Sequence, residues 1–320
     1  MASLLARKNH FAFVTIVLGS LLVFGSPIRS VIRLALEDER YNYILFILPT
    51  TIFLIYTNRL MAFRNSSFDP TRGSSVLLLG VGAYVAIAMA SDGLVRRTLG
   101  KELRESVEIG ALVIVLVGAF LLCYGGRAFR QTLFALLFLT LMVPIPNSVI
   151  DKAVVALQQG SATMTLFLFR LLGVPVFAEG VNFALPGVNI QVAKECSGIR
   201  SSESLVICSI LAGYFLLQSA WSRLWLVLLA IPITILKNGI RIATLSWLAV
   251  YVDPAFLHGN LHRYGGLPFS MISVLLMAVF LYAFRRWETS GLRASTTSKP
   301  PFLSHVLPGG VERQREVHKA

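Results

Sequence analysis

Apolar runs separated by short charged segments recur along most of the chain, and each run reads as a membrane-spanning helix. The first extends from Phe11 to Phe24 behind Arg7 and Lys8. That charged start resembles a signal peptide with Gly25-Ser26-Pro27 at its cleavage region, but the close succession of further runs favours a retained helix. Ser30 to Asn42 mixes Arg29, Arg33 and Arg40 with Glu37, Asp38 and Glu39, the composition of an amphipathic connector. Spans are then expected at about 43–57, 75–90, 107–126 and 132–143, the last ended by Pro144 and Pro146. Several are shorter than the ~20 residues a perpendicular helix needs, so their ends must extend into the flanks.

The pattern changes between 147 and 195. Ile150, Val154, Leu157, Met164, Leu168 and Leu171 recur at helical spacing, which predicts an amphipathic helix stopped by Gly173 and Pro175. Then the period becomes two. Val181, Phe183 and Leu185 alternate with Asn182 and Ala184, Pro186-Gly187 punctuates, and Val188, Ile190 and Val192 alternate again. That is the signature of a small β-hairpin. Three further spans follow, from near Ile199, from Leu224 to about Val252, and from about Leu267 to Phe284. The fold class expected is an all-α polytopic membrane protein of about eight transmembrane helices, with an outer amphipathic helix and a small hairpin ahead of Cys196. Residues 1–284 form the membrane domain with its core at 107–284, and 285–320 read as a disordered cytoplasmic tail.

Composition agrees. The chain is 55% hydrophobic and only 14% charged, which excludes a soluble domain of this length. Its net charge of +13 is accounted for by topology, so no nucleic-acid partner is needed. Eight spans put both termini on one side. With that side cytoplasmic, even the shortest inner loops are basic, at Arg127 and Arg130 and at Arg223. The location expected is the cell (inner) membrane, multi-pass, with residues 147–195 and 253–266 facing outward. The three cysteines offer no disulfide framework, and Cys123 and Cys208 fall in apolar runs.

Chemistry concentrates in three places. Lys194-Glu195-Cys196-Ser197-Gly198-Ile199-Arg200 puts a thiol at a helix entry, where free N–H groups, the helix dipole and Arg200 favour a thiolate. Arg241 lies about 26 Å along the seventh span from Leu224 at 1.5 Å per residue, in the outer part of the bilayer. An ionisable residue there costs at least ~2.5 kcal/mol and marks a functional site by default. Lys237 stands one turn below it, and the bland alternative is that both side chains snorkel to the head groups. His258 and His262 occupy the outer loop that follows. A thiol, a guanidinium and an imidazole on one face are the parts of an activated cysteine nucleophile.

These blocks resemble the exosortase/archaeosortase membrane transpeptidases. The resemblance rests on Glu195-Cys196-Ser197-Gly198-Ile199-Arg200-Ser201, on Asn238-Gly239-Ile240-Arg241-Ile242, and on His262 with Gly266 four residues on. It covers most of residues 107–284 and implies a catalytic Cys196, Arg241 and His262; Arg200, Asn238 and His258 are supporting candidates by their place beside these residues. Lys194 stands where many members carry an acid. The implied activity is cysteine-dependent cleavage of membrane-anchored proteins bearing a C-terminal sorting tail, which consists of a Pro-Glu-Pro-like motif, a transmembrane helix and a basic cluster. The cleaved protein then passes to an acceptor, with no cofactor and no metal. Two rivals come from other classes. A metal-dependent membrane protease would use His258, His262 and Cys196, but Gly259 stands where a zincin needs its glutamate. A transporter would line an anion path with Lys237 and Arg241, without the paired broken helices such folds show.

Overall fold

Helices built from the apolar runs account for nearly all of the structure. The computed structural model describes residues 2–64, 66–90, 100–193, 198–257 and 266–297. Helix α1 (Ala2–Val23) bends by 74° into α2 (Gly25–Glu37), which buries Pro27, Val31 and Ala35 and leaves Arg29 and Arg33 exposed. This is the amphipathic connector that the alternating charges predict. The short α3 (Ile44–Thr57) and α4 (Arg59–Phe63) follow, then α5 (Pro70–Ala90), which packs along the long α6 (Lys101–Gln131). After α7 (Leu133–Leu139), residues 144–146 turn the chain through 92° into α8 (Asn147–Leu171). The last helices are α9 (Ile199–Leu216), α10 (Ala220–Leu228), α11 (Ala230–Tyr251) and α12 (Gly266–Thr297).

The protein is thus a polytopic all-α membrane protein carrying one small sheet. Among the described residues five helices are long and apolar enough to cross a bilayer, or seven if each bent pair is one span. The expected second span is the one that falls short. Helix α3 has 14 residues with Pro49 inside it, about 21 Å at 1.5 Å per residue against a hydrocarbon core of roughly 30 Å. At the other end of the chain α12 continues beyond Phe284 to Thr297. The remainder of the expected tail, 298–320, lies outside the described residues.

The hairpin is present and gains a strand. Strand β1 (Phe177–Glu179) pairs antiparallel with β2 (Asn182–Leu185), which pairs antiparallel with β3 (Val188–Gln191) around the Pro186-Gly187 turn. Gly187 has φ 75°, the left-handed value that the second central residue of a Pro-Gly turn of type II requires. Phe183 and Leu185 point into a core with Phe169 of α8 and Ile242 and Ala243 of α11, while Asn182 and Ala184 are exposed. Phe169 and Phe183 meet edge to face with centroids 5.8 Å apart. Beyond β3, the Val192 N–H donates to Val181 O at 2.9 Å and its carbonyl accepts from Gln158. The sheet is therefore a rigid mount for the chain entering the cysteine block.

Polar contacts gather one end of the bundle. Ser30 donates to Glu105 at 2.6 Å, Glu102 accepts from Asn147, and Arg40 pairs with Asp38 and with Asp151. The Arg40 side-chain hydrogen bond holds the Asp38 carboxyl below its ordinary range. Tyr41 donates between Ile145 O and Asn147 Oδ1, and burial pushes its phenol up to about 12. At the other end, Glu288 accepts from the Gln218 and Ser219 N–H groups, and Asn58 donates to Tyr214. Segments expected to share a side of the membrane do share an end of the bundle.

Candidate active site

Helix α9 starts on Gly198. With φ 83° and ψ 12°, this residue sits in the left-handed region open mainly to glycine. Its carbonyl accepts from the Ser202 N–H at 2.9 Å and from the hydroxyls of Ser201 and Ser202, which ties off the first turn. The opposite side of Gly198 rests on α11, where a Cβ would stand 3.3 Å from Thr234 Cγ2 and 3.6 Å from Asn238 Cγ. Gly198 of the cysteine block is therefore packed against the Asn-x-x-Arg helix. Gly198→Ala should cost about 1–2 kcal/mol through the left-handed backbone alone. The expected outcome is a thermal unfolding midpoint in detergent lowered by a few degrees.

Helix α11 is itself set by α8. Gly239 lies so close to α8 that a Cβ there would meet Met164 Cγ at 2.6 Å. That approach lets the fully buried Asn238 donate from Nδ2 to Ser161 Oγ at 3.0 Å. Asn238 thus acts as a joint between α8 and α11.

Lys237 and Arg241, one turn apart on α11, line a cavity of about 440 Å³. Gly198, Ser201, Ser204 and Cys208 supply the α9 wall, and Ser270, Ser273 and Val274 the α12 wall. Lys237 is only 4% exposed and donates from Nζ to Ser201 Oγ at 2.7 Å. It turns into the protein instead of snorkelling outward, because the α9 hydroxyls offer a polar partner that the lipid face lacks. Arg241 is half-buried on the same cavity. Arg200 also borders it, but its guanidinium pairs with Glu39 on the connector, at a site more than half exposed where solvent screens the charge. Its positive potential is therefore shared with Glu39.

Cys208 lies in an apolar span, as its sequence implies. It is exposed on the cavity wall, whereas Cys123 is buried as its apolar run implies. The serines of the cavity carry a signal in the sequence: Ser201 and Ser204 with Cys208, and Ser270 with Ser273, recur at three or four along largely apolar helices. Cys196, His258 and His262, with Lys194 and Glu195, lie outside the described residues. Among the described residues no three His, Cys, Asp or Glu side chains form a group that could hold a metal ion.

A family model described as transmembrane exosortase matches residues 35–279, more than half of the chain. The match spans the cysteine block, the Asn-x-x-Arg block and His262. No curated protein and no solved structure matches.

Proposed function

This chain belongs to the transmembrane exosortase family, and from that premise we propose that it is an integral-membrane cysteine transpeptidase or protease acting on membrane-anchored proteins with C-terminal sorting tails. Cys196 is the nucleophile. Its thiolate attacks the scissile carbonyl, the peptide C–N bond breaks, and the amine leaves with a proton from His262, the general base and later acid. A thioester remains on sulfur until an acceptor amine or hydroxyl, or water, displaces it. Arg241 stabilises the oxyanion of the tetrahedral intermediate. The observation that carries the reading is the packing of Gly198 on Thr234 and Asn238. Cys196 stands two positions before Gly198, a reach of at most about 7 Å, and the same face of α11 that meets Gly198 continues to Arg241.

The test is co-expression with a substrate carrying such a tail, followed by its shift in size. His262→Ala should abolish processing, and His258→Ala should weaken it only a few fold, because only His262 stands in the family block. Equal loss from both, with inhibition by a chelator, would instead favour the metal-dependent protease. Transport by Lys237 and Arg241 predicts no processing at all.

We place the protein in the cell membrane with both termini cytoplasmic and the site on the outer face. In a background lacking the native cysteines, Gln159→Cys on the exposed side of α8 should react with an impermeant thiol reagent in intact cells. Thr71→Cys at the opposite end should react only after permeabilisation. The reverse pattern would invert the topology.

A further inference from the structure

The cavity that Gly198 and Lys237 border holds more binding capacity than the proposed reaction uses. Its Lys237 ammonium is almost wholly withdrawn from solvent, and among the described residues its hydrogen bond goes to the neutral Ser201 hydroxyl. An ammonium carries three donors, and buried charges are normally paired with opposite charge. No aspartate or glutamate is among the described residues that line the cavity. On the α12 wall of the same cavity Ser273 is 4% exposed, and among the described residues its Oγ is buried without a hydrogen-bond partner. A buried hydroxyl left over on a cavity wall is a donor waiting for a ligand. Cation and hydroxyls on walls of one cavity fit an anion with several acceptor oxygens.

Size and surroundings narrow the class. At about 440 Å³ the cavity has room for roughly fifteen waters, more than a bare ion fills. It also opens along α12, since Val274 lines it and is 62% exposed, next to the exposed apolar residues Met271 and Leu275. In a bundle that spans a bilayer, such a stripe faces acyl chains. A headgroup in the cavity and tails along α12 satisfy both surfaces.

We propose that this cavity is a phosphate subsite, with Lys237 and Ser273 binding a phosphate group supplied by a membrane phospholipid or by solution. The subsite goes beyond the thiol reaction and does not depend on it, so it is tested in a Cys196→Ala background. The full chain is purified in a maltoside detergent and delipidated. Tryptophan fluorescence then follows thermal unfolding against dioleoylphosphatidylglycerol, dioleoylglycerol or inorganic phosphate.

The expected result is a saturable rise in the unfolding midpoint with dioleoylphosphatidylglycerol and none with dioleoylglycerol. Lys237→Gln should weaken the apparent affinity about tenfold or more, and Ser273→Ala about threefold to tenfold. Arg285→Gln, on the exposed surface of α12, should change nothing. A Lys237-dependent rise with inorganic phosphate alone, to which the lipid adds nothing, assigns the phosphate to solution and keeps the subsite. If Lys237→Gln does not fold, Ser273→Ala still decides, because removing a hydroxyl that has no partner leaves the fold intact. The proposal is overturned if no ligand raises the midpoint, if dioleoylglycerol acts as well as the phospholipid, or if Ser273→Ala binds with undiminished affinity.

Discussion

Cys196→Ser is expected to lower processing of a tailed substrate by roughly three orders of magnitude or more, although the two side chains are nearly isosteric. The reason is acidity. A thiol with a pKa near 8.5 needs only a modest shift to present a thiolate at neutral pH, a shift that a helix entry or a nearby cation can supply. A serine hydroxyl in the same place stays protonated, and a base poised for a thiol is too weak to activate it. With the acceptor limiting, the wild-type protein should accumulate a substrate adduct that hydroxylamine releases, and peptide mapping should find it on Cys196. Cys208 sharpens this experiment because it is exposed on the cavity wall and could compete for the label. Cys208→Ala and Cys123→Ala should both keep the adduct and the activity. An adduct on Cys208, or substrate still cleaved by Cys196→Ser, would end the case for Cys196 as the nucleophile.

The place of Cys208 on the cavity wall shows where local pattern stops being informative. Its neighbours Val206, Ile207 and Ile210 are apolar, which says that the segment is a span and nothing about which side of the helix meets what. The wall it stands on is decided by α12, more than 60 positions away in the chain. The elements themselves were legible for the opposite reason. Apolar run length fixes a helix, Pro144 and Pro146 end one, and the alternation from Val181 to Val192 fixes two strands. Strand β1 was not legible, since Phe177–Glu179 is three residues long with its phenylalanine exposed, too short to show a period. Lys237 and Arg241 were legible because a charge inside a span is costly wherever it points. That Lys237 points at Ser201 was not, because the partner comes from another helix.

Arg241→Lys should lower processing about 10²–10³-fold, the loss typical of removing one oxyanion donor. The two side chains carry the same charge, so a site that needed only positive potential would tolerate the change. A guanidinium differs in presenting a planar fork of donors and in staying protonated in a poorly hydrated place, where an ammonium can lose its proton. Helix α11 makes geometry the deciding variable. Asn238 is anchored to Ser161 and Gly239 is pressed against Met164, so the backbone carrying Arg241 has little freedom to bring a shorter or differently shaped donor into place. Lys237, already in the cavity one turn below, also shows that a lysine is available nearby and should not restore what the arginine loses. Two roles for Arg241 are separable in a protein lacking Cys123 and Cys208. If it stabilises the thiolate, Arg241→Lys should move the pH profile of Cys196 alkylation by iodoacetamide. If it stabilises the oxyanion, alkylation should keep its profile while acylation by substrate slows. Near-normal turnover of Arg241→Lys would remove Arg241 from both roles and leave it as a fixed charge.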